Sequence, residues 1–277
     1  MSIKTVMLAL IAGDGTKPGS AIDYAIDLAA THKAHLSVVI GAIRVPVVVY
    51  SGVAEVQAIV TDENNHRDQD AGVIAESIRH AAQMNGIAAS VDIVSDSIDS
   101  MFNRIGKRAR LHDLAVCGRP RATDIWAREL AETLLLSSGR PLIVVPDGFA
   151  VDRASGTIMV AWDGTAVSAR AVGEATPFLE RAGLVEVVSV SGDKHADDLV
   201  PGADLAPMLA HHGMKVSVVD LPGSAGAGET IISHAQNIRA RLIVMGGYAH
   251  SRLRQMVLGG CTRTMLDKAP VPVFMAH

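Results

Sequence analysis

The sequence predicts an α/β fold built twice over, as two tandem open five-stranded parallel sheets with helices on both faces. Three observations predict it. The core vocabulary is small and aliphatic: 49% of residues are hydrophobic but only 3% aromatic, which suits parallel strands covered on both faces. Apolar β-branched runs alternate with alanine-rich amphipathic segments, the pattern of consecutive strand–helix units. The same landmarks also recur in the same order in the two halves of the chain.

The elements follow in order. Each half opens on a buried strand, Thr5–Leu10 and Thr157–Trp162, followed by a glycine-containing turn and a helix over Ala21–Thr31 or Ser168–Arg181. A second strand comes next, Leu36–Ile40 and Val185–Val190. A helix closed by Gly86 or Gly213 then leads to the strands Ser90–Val94 and Ser217–Leu221. After a third helix come Asp113–Gly118 and Arg241–Gly246, and after a fourth the proline-led strands Pro141–Val145 and Pro272–Met275. The linker falls around Pro146–Ser155, dividing the chain into domains 1–148 and 155–277. The first half differs by an insertion over Gly41–Asn65, with an apolar run Val45–Tyr50, read as a loop covering the core.

Composition narrows the function. A net charge of −4 offers no basic field for nucleic acid or anionic lipid, so neither is expected as a partner. No stretch approaches the ~20 apolar residues that span a bilayer, and the run Val6–Ala12 is too short for a secretory core, which predicts a cytoplasmic protein. Cys117 and Cys261 read as reduced, buried thiols. His211 and His212 are adjacent, not spaced three or four apart as helical metal ligands are, so no metal site is expected. Gly13–Ser20 has glycines and Lys17 but lacks the lysine directly after the last glycine that a phosphate loop requires.

In open parallel sheets, ligands bind beyond the carboxyl ends of the strands. In the second half that place combines Ala161, Trp162, Asp163, Gly164 and Thr165 with Gly246, Gly247, a loop, and then Gly259, Gly260, Cys261 and Thr262 opening the last helix. Glycines let backbone amides approach an anion, and a helix N-terminus offers free N–H groups. This arrangement resembles the universal stress protein family, whose motif is Gly, two residues, Gly, nine residues, Gly, then Ser or Thr, with an Asp-Gly-Ser/Thr turn after the first strand. Asp163-Gly164-Thr165 matches the turn, while Gly246 and Gly259 match the first and third motif glycines. Two positions depart: Ala249 stands for the second glycine and Gly260 for the hydroxyl residue, with Thr262 too far along the helix to substitute.

The resemblance implies a Rossmann-like fold of the adenine nucleotide alpha hydrolase type. It implies ATP or AMP in the second half only, with Mg accompanying ATP. The contact set it implies is completed by Val190, Met245, His250 and Arg252. It also implies a non-enzymatic stress-response regulator, in which the final strands of the two domains pair within one chain. Homodimers of whole chains and unidentified protein partners belong to the same expectation. A nucleotide-independent dimeric scaffold and a slow ATP hydrolase are the alternatives.

In the first half the corresponding loop, Gly118–Asp124, is three residues shorter, and Arg128-Glu129 occupy the positions of Gly259-Gly260. A glutamate there competes with phosphate for the helix dipole, so the site is read as degenerate. Arg119, Arg121 and Arg128 are read as solvated surface arginines rather than an anion pocket.

Overall fold

The computed structural model describes residues 2–13, 19–45, 54–152, 154–191, 200–223, 226–247 and 260–277. The first half runs β1 (Thr5–Ile11), α1 (Gly19–His32), β2 (His35–Ile43), α2 (Ala54–Met84), β3 (Ala89–Asp96), α3 (Ile98–Ala109), β4 (Leu114–Gly118), α4 (Ile125–Ser137) and β5 (Leu142–Val145). The second repeats it: β6 (Thr157–Ala161), α5 (Ala166–Leu179), β7 (Leu184–Ser191), α6 (Gly202–His211), β8 (Val216–Pro222), α7 (Ala227–Asn237), β9 (Leu242–Gly246), α8 (Gly260–Lys268) and β10 (Val273–Ala276).

The two five-stranded sheets are halves of one ten-stranded sheet, ordered β3-β2-β1-β4-β5-β10-β9-β6-β7-β8. Pairing is parallel within each half, as right-handed strand–helix–strand crossovers require. Only the junction is antiparallel, with Val273 opposite Val144, Phe274 opposite Ile143 and Met275 opposite Leu142. The expected intramolecular pairing of the final strands is therefore present, and it gives each half's last strand a neighbour on both sides. Central strands are buried on both faces, whereas the outer strands β3 and β8 alternate between buried or half-buried and exposed positions.

Each face of the sheet carries one continuous core that crosses the junction. On one, Leu8, Leu36 and Ile143 join Val160, Val244 and Phe274. On the other, Met7, Ala115 and Leu142 join Met159, Ile243 and Met275. Phe178 of α5 sets its ring edge against Phe274 at 5.6 Å and also meets His32 of α1 at 5.6 Å, so aromatic contacts span the halves.

Two expectations about the first half are corrected. The insertion is not a loop throughout: Gly41–Ile43 complete β2, and Ala54 begins a 31-residue helix, α2. Its early turns are tied down by polar contacts rather than by a wide apolar face. The buried Asn64 amide bonds the N–H and the carbonyl of Val45 at 2.9 and 3.0 Å, and Arg67 donates to the Ile43 carbonyl at 3.0 Å. Val45 belongs to the described residues, whereas Pro46–Tyr50 lie outside them.

The arginines are not merely solvated. Arg128 pairs with Asp267 of α8, and Arg119 donates to the Ala269 carbonyl at 2.9 Å, near the negative end of α8. Both therefore link the halves. Arg121 pairs with Asp147 at 2.9 Å.

Candidate functional site

The second-half site is built on the carboxyl ends of β6 and β9, which lie side by side with Ala161 opposite Met245. After β6 the chain turns sharply. Gly164 has φ of 73°, a conformation that costs glycine little, and Thr165 caps α5, its hydroxyl accepting from the Ser168 N–H at 3.3 Å. The Asp163 carboxylate accepts from both the Thr165 N–H (3.0 Å) and the Thr165 hydroxyl (2.7 Å). An exposed carboxylate is thereby fixed in direction before any ligand arrives.

Gly246 ends β9 where α5 begins. A Cβ there would stand 2.8 Å from the Ser168 nitrogen and 3.0 Å from the Val167 carbonyl carbon, both backbone atoms. The next glycine, Gly247, is buried, and a Cβ on it would meet the Leu135 side chain of α4 at 2.9 Å. Both glycines thus serve close packing, and Gly246 draws the strand end against the helix that the Asp163 turn introduces.

The first turn of α8 arrives at the same place. Cys261 is half-buried, and its thiol is pushed up to about 11, first by burial and then by the negative charge of Asp163. The first turn of α8 is thus within electrostatic reach of the Asp163 turn. Thr262 is buried, while Gly260 is exposed and a Cβ on it would meet nothing within 4 Å. The expectation of a fully buried thiol therefore holds for Cys117, pushed up to about 12 by burial, but not for Cys261.

The remaining predicted residues divide. Trp162 is 7% exposed, lies in the core, and donates its indole N–H to the Val200 carbonyl at 2.7 Å, so its side chain is committed to packing. Ala161 and Met245 are likewise core residues beneath the site, and Val190 is half-buried against the same core. Ala249, His250, Arg252 and Gly259 lie outside the described residues. Among the described residues, no three His, Cys, Asp or Glu side chains gather as metal ligands, and no helix is long and apolar enough to cross a membrane.

Thiolate, not thiol, is the nucleophile, so alkylation of Cys261 by iodoacetamide should rise about tenfold per pH unit between about pH 7 and pH 10. No plateau is expected below its pKa of about 11. Asp163→Asn removes the charge that raises this pKa, and faster labelling at a given alkaline pH is the expected result. An unchanged rate would separate the two side chains.

In the first half, α4 starts earlier than the alignment of the halves predicts. Its cap is Asp124, whose carboxylate accepts from the Ala127 N–H at 2.9 Å. The carboxylate at this helix N-terminus is thus Asp124, and Glu129 lies a turn further on. The crevice itself persists, as a cavity of about 660 Å³ at the carboxyl ends of β1 and β4.

A fixed aspartate, a glycine-closed strand and a helix N-terminus lie at the carboxyl end of a parallel sheet, where open α/β sheets place their ligand crevices. Known proteins resemble the chain in sequence over its second half and in fold over its whole length. Residues 155–277 match the sequence model of the universal stress protein family. A universal stress protein of Synechocystis is 26% identical over 148 residues, 51% of this chain and 48% of that protein, so the match spans about half the length of each. A universal stress protein of Archaeoglobus fulgidus superposes with a TM-score of 0.68 at 19% identity, over 98% of this chain and 97% of its own. A functionally unknown protein of Pseudomonas aeruginosa follows at TM-score 0.59 and 16% identity, over 99% and 92%. The second half, residues 155–277, therefore carries the sequence pattern of the universal stress protein family, and the first half repeats its fold.

Proposed function

We propose that the chain is a cytoplasmic stress-response regulator that binds ATP or AMP in its second half, with Mg accompanying ATP, and turns over no substrate. The observation that carries this reading is the convergence of Asp163, held by Thr165, with the Gly246 strand end and the first turn of α8. Asp163 is oriented to accept hydrogen bonds from the ribose or base, and the N–H groups opening α8 suit a phosphate. Among the described residues no histidine or lysine is hydrogen-bonded to Asp163, which favours binding over hydrolysis. Nucleotide would regulate by binding one conformation better than another, and pairing of whole chains or other proteins would read the difference.

Cys261 reports occupancy. ATP or AMP should slow its alkylation saturably and release no phosphate. Gly260→Ser restores the hydroxyl of the family motif in open space, and should tighten binding by about two- to tenfold, the value of one hydrogen bond. The departures at Ala249 and Gly260 favour a second reading, a scaffold that works without nucleotide. Alkylation indifferent to millimolar ATP and AMP in both proteins would leave that second reading standing.

A further inference from the structure

The first-half cavity is walled on one side by α2. Glu63, His66, Arg67 and Asp70 lie at helical spacing on one face of α2, and that face forms a wall of the cavity. The groups that would hold a phosphate are already engaged. Arg67 donates to Glu63 at 2.9 Å and to the Ile43 carbonyl, Arg119 reaches across to Ala269, and Arg121 is paired with Asp147. Asp124 occupies the N-terminus of α4.

Among the described lining residues, the carboxylates Glu63, Asp70, Asp124 and Asp147 outnumber the guanidinium groups of Arg67, Arg119 and Arg121. Half-buried Asp70 makes no hydrogen bond or ion pair among the described residues. A carboxylate facing a partly desolvated cavity is stabilised most by a cation that enters with its own donors. Trp126, with Ile11 and Leu130, supplies an apolar wall, and an aromatic face also favours a cation.

We propose that this cavity is a binding site for a small organic cation, whose ammonium or amidinium head is held by Asp70 and whose apolar body lies against Trp126. The ligand class is opposite in charge to a nucleotide, so the two halves of the duplicated fold would read different molecules. This inference is independent of nucleotide binding in the second half.

The test uses the full chain carrying Trp162→Phe, which leaves Trp126 as its only tryptophan, with tyramine as the probe. Expected are saturable quenching of Trp126 by tyramine, no response to 4-ethylphenol, which lacks the ammonium group, and no displacement by AMP. Asp70→Asn should weaken tyramine by about tenfold or more, the value of a charged hydrogen bond. Absence of quenching at millimolar tyramine, an equal response to 4-ethylphenol, or displacement by AMP would each overturn the assignment. The tyramine and 4-ethylphenol comparison decides the matter even if Asp70→Asn fails to fold.

Discussion

Phe274→Ala is expected to destabilise the chain by about 3–5 kcal/mol, the usual cost of truncating a buried phenylalanine. Phe274 is 1% exposed and stands opposite Ile143 at the antiparallel junction, with the Phe178 ring edge against it. Because each core layer crosses this junction, the loss should be felt in both halves. Urea unfolding followed by circular dichroism, and by Trp126 and Trp162 separately in single-tryptophan variants, should show one transition moving to lower denaturant in all probes. A shift confined to Trp162 would mean that the halves unfold independently.

Gly246→Val is expected to cost about 2–3 kcal/mol and to weaken nucleotide binding in parallel. The added Cβ would lie at 2.8 Å from the Ser168 nitrogen, and the atoms it meets are backbone, so the first turn of α5 must move as a unit. Thr165, which holds Asp163, is the cap of that same turn. Gly260 is the control: with open space around it, Gly260→Ala should alter thermal stability by less than about 1 kcal/mol. Equal effects at the two glycines would contradict the packing role assigned to Gly246.

Much of this fold was legible because buried parallel strands read as uninterrupted apolar runs, and because duplication repeats the glycine and proline landmarks. Leu114–Gly118 and Leu242–Gly246 each announce a strand and its end. The start of α2 was not legible. Asp62-Glu63-Asn64-Asn65-His66-Arg67-Asp68 has the composition of a linker, and becomes helix through contacts to Ile43, Arg44 and Val45 that no local pattern encodes.

Asp124 ahead of Ile125-Trp126 is a local N-cap signal for the start of α4, whereas counting back from the last strand places that start at Arg128-Glu129. The site's turn was legible as the motif Asp163-Gly164-Thr165. The nearness of Cys261 to Asp163 and the pairing of Arg128 with Asp267 join distant segments, and only the packed chain reveals them. The persistence of a first-half cavity was hidden for the same reason: loss of a phosphate motif says nothing about the space left behind.

An adenine nucleotide site in the second half is tested most directly by calorimetric titration of ATP and AMP into the full chain, beside Gly259→Glu. A single site per chain, abolished by the glutamate placed where α8 opens, is the predicted result. No heat at millimolar nucleotide from a folded protein, or binding that survives Gly259→Glu unchanged, would contradict it.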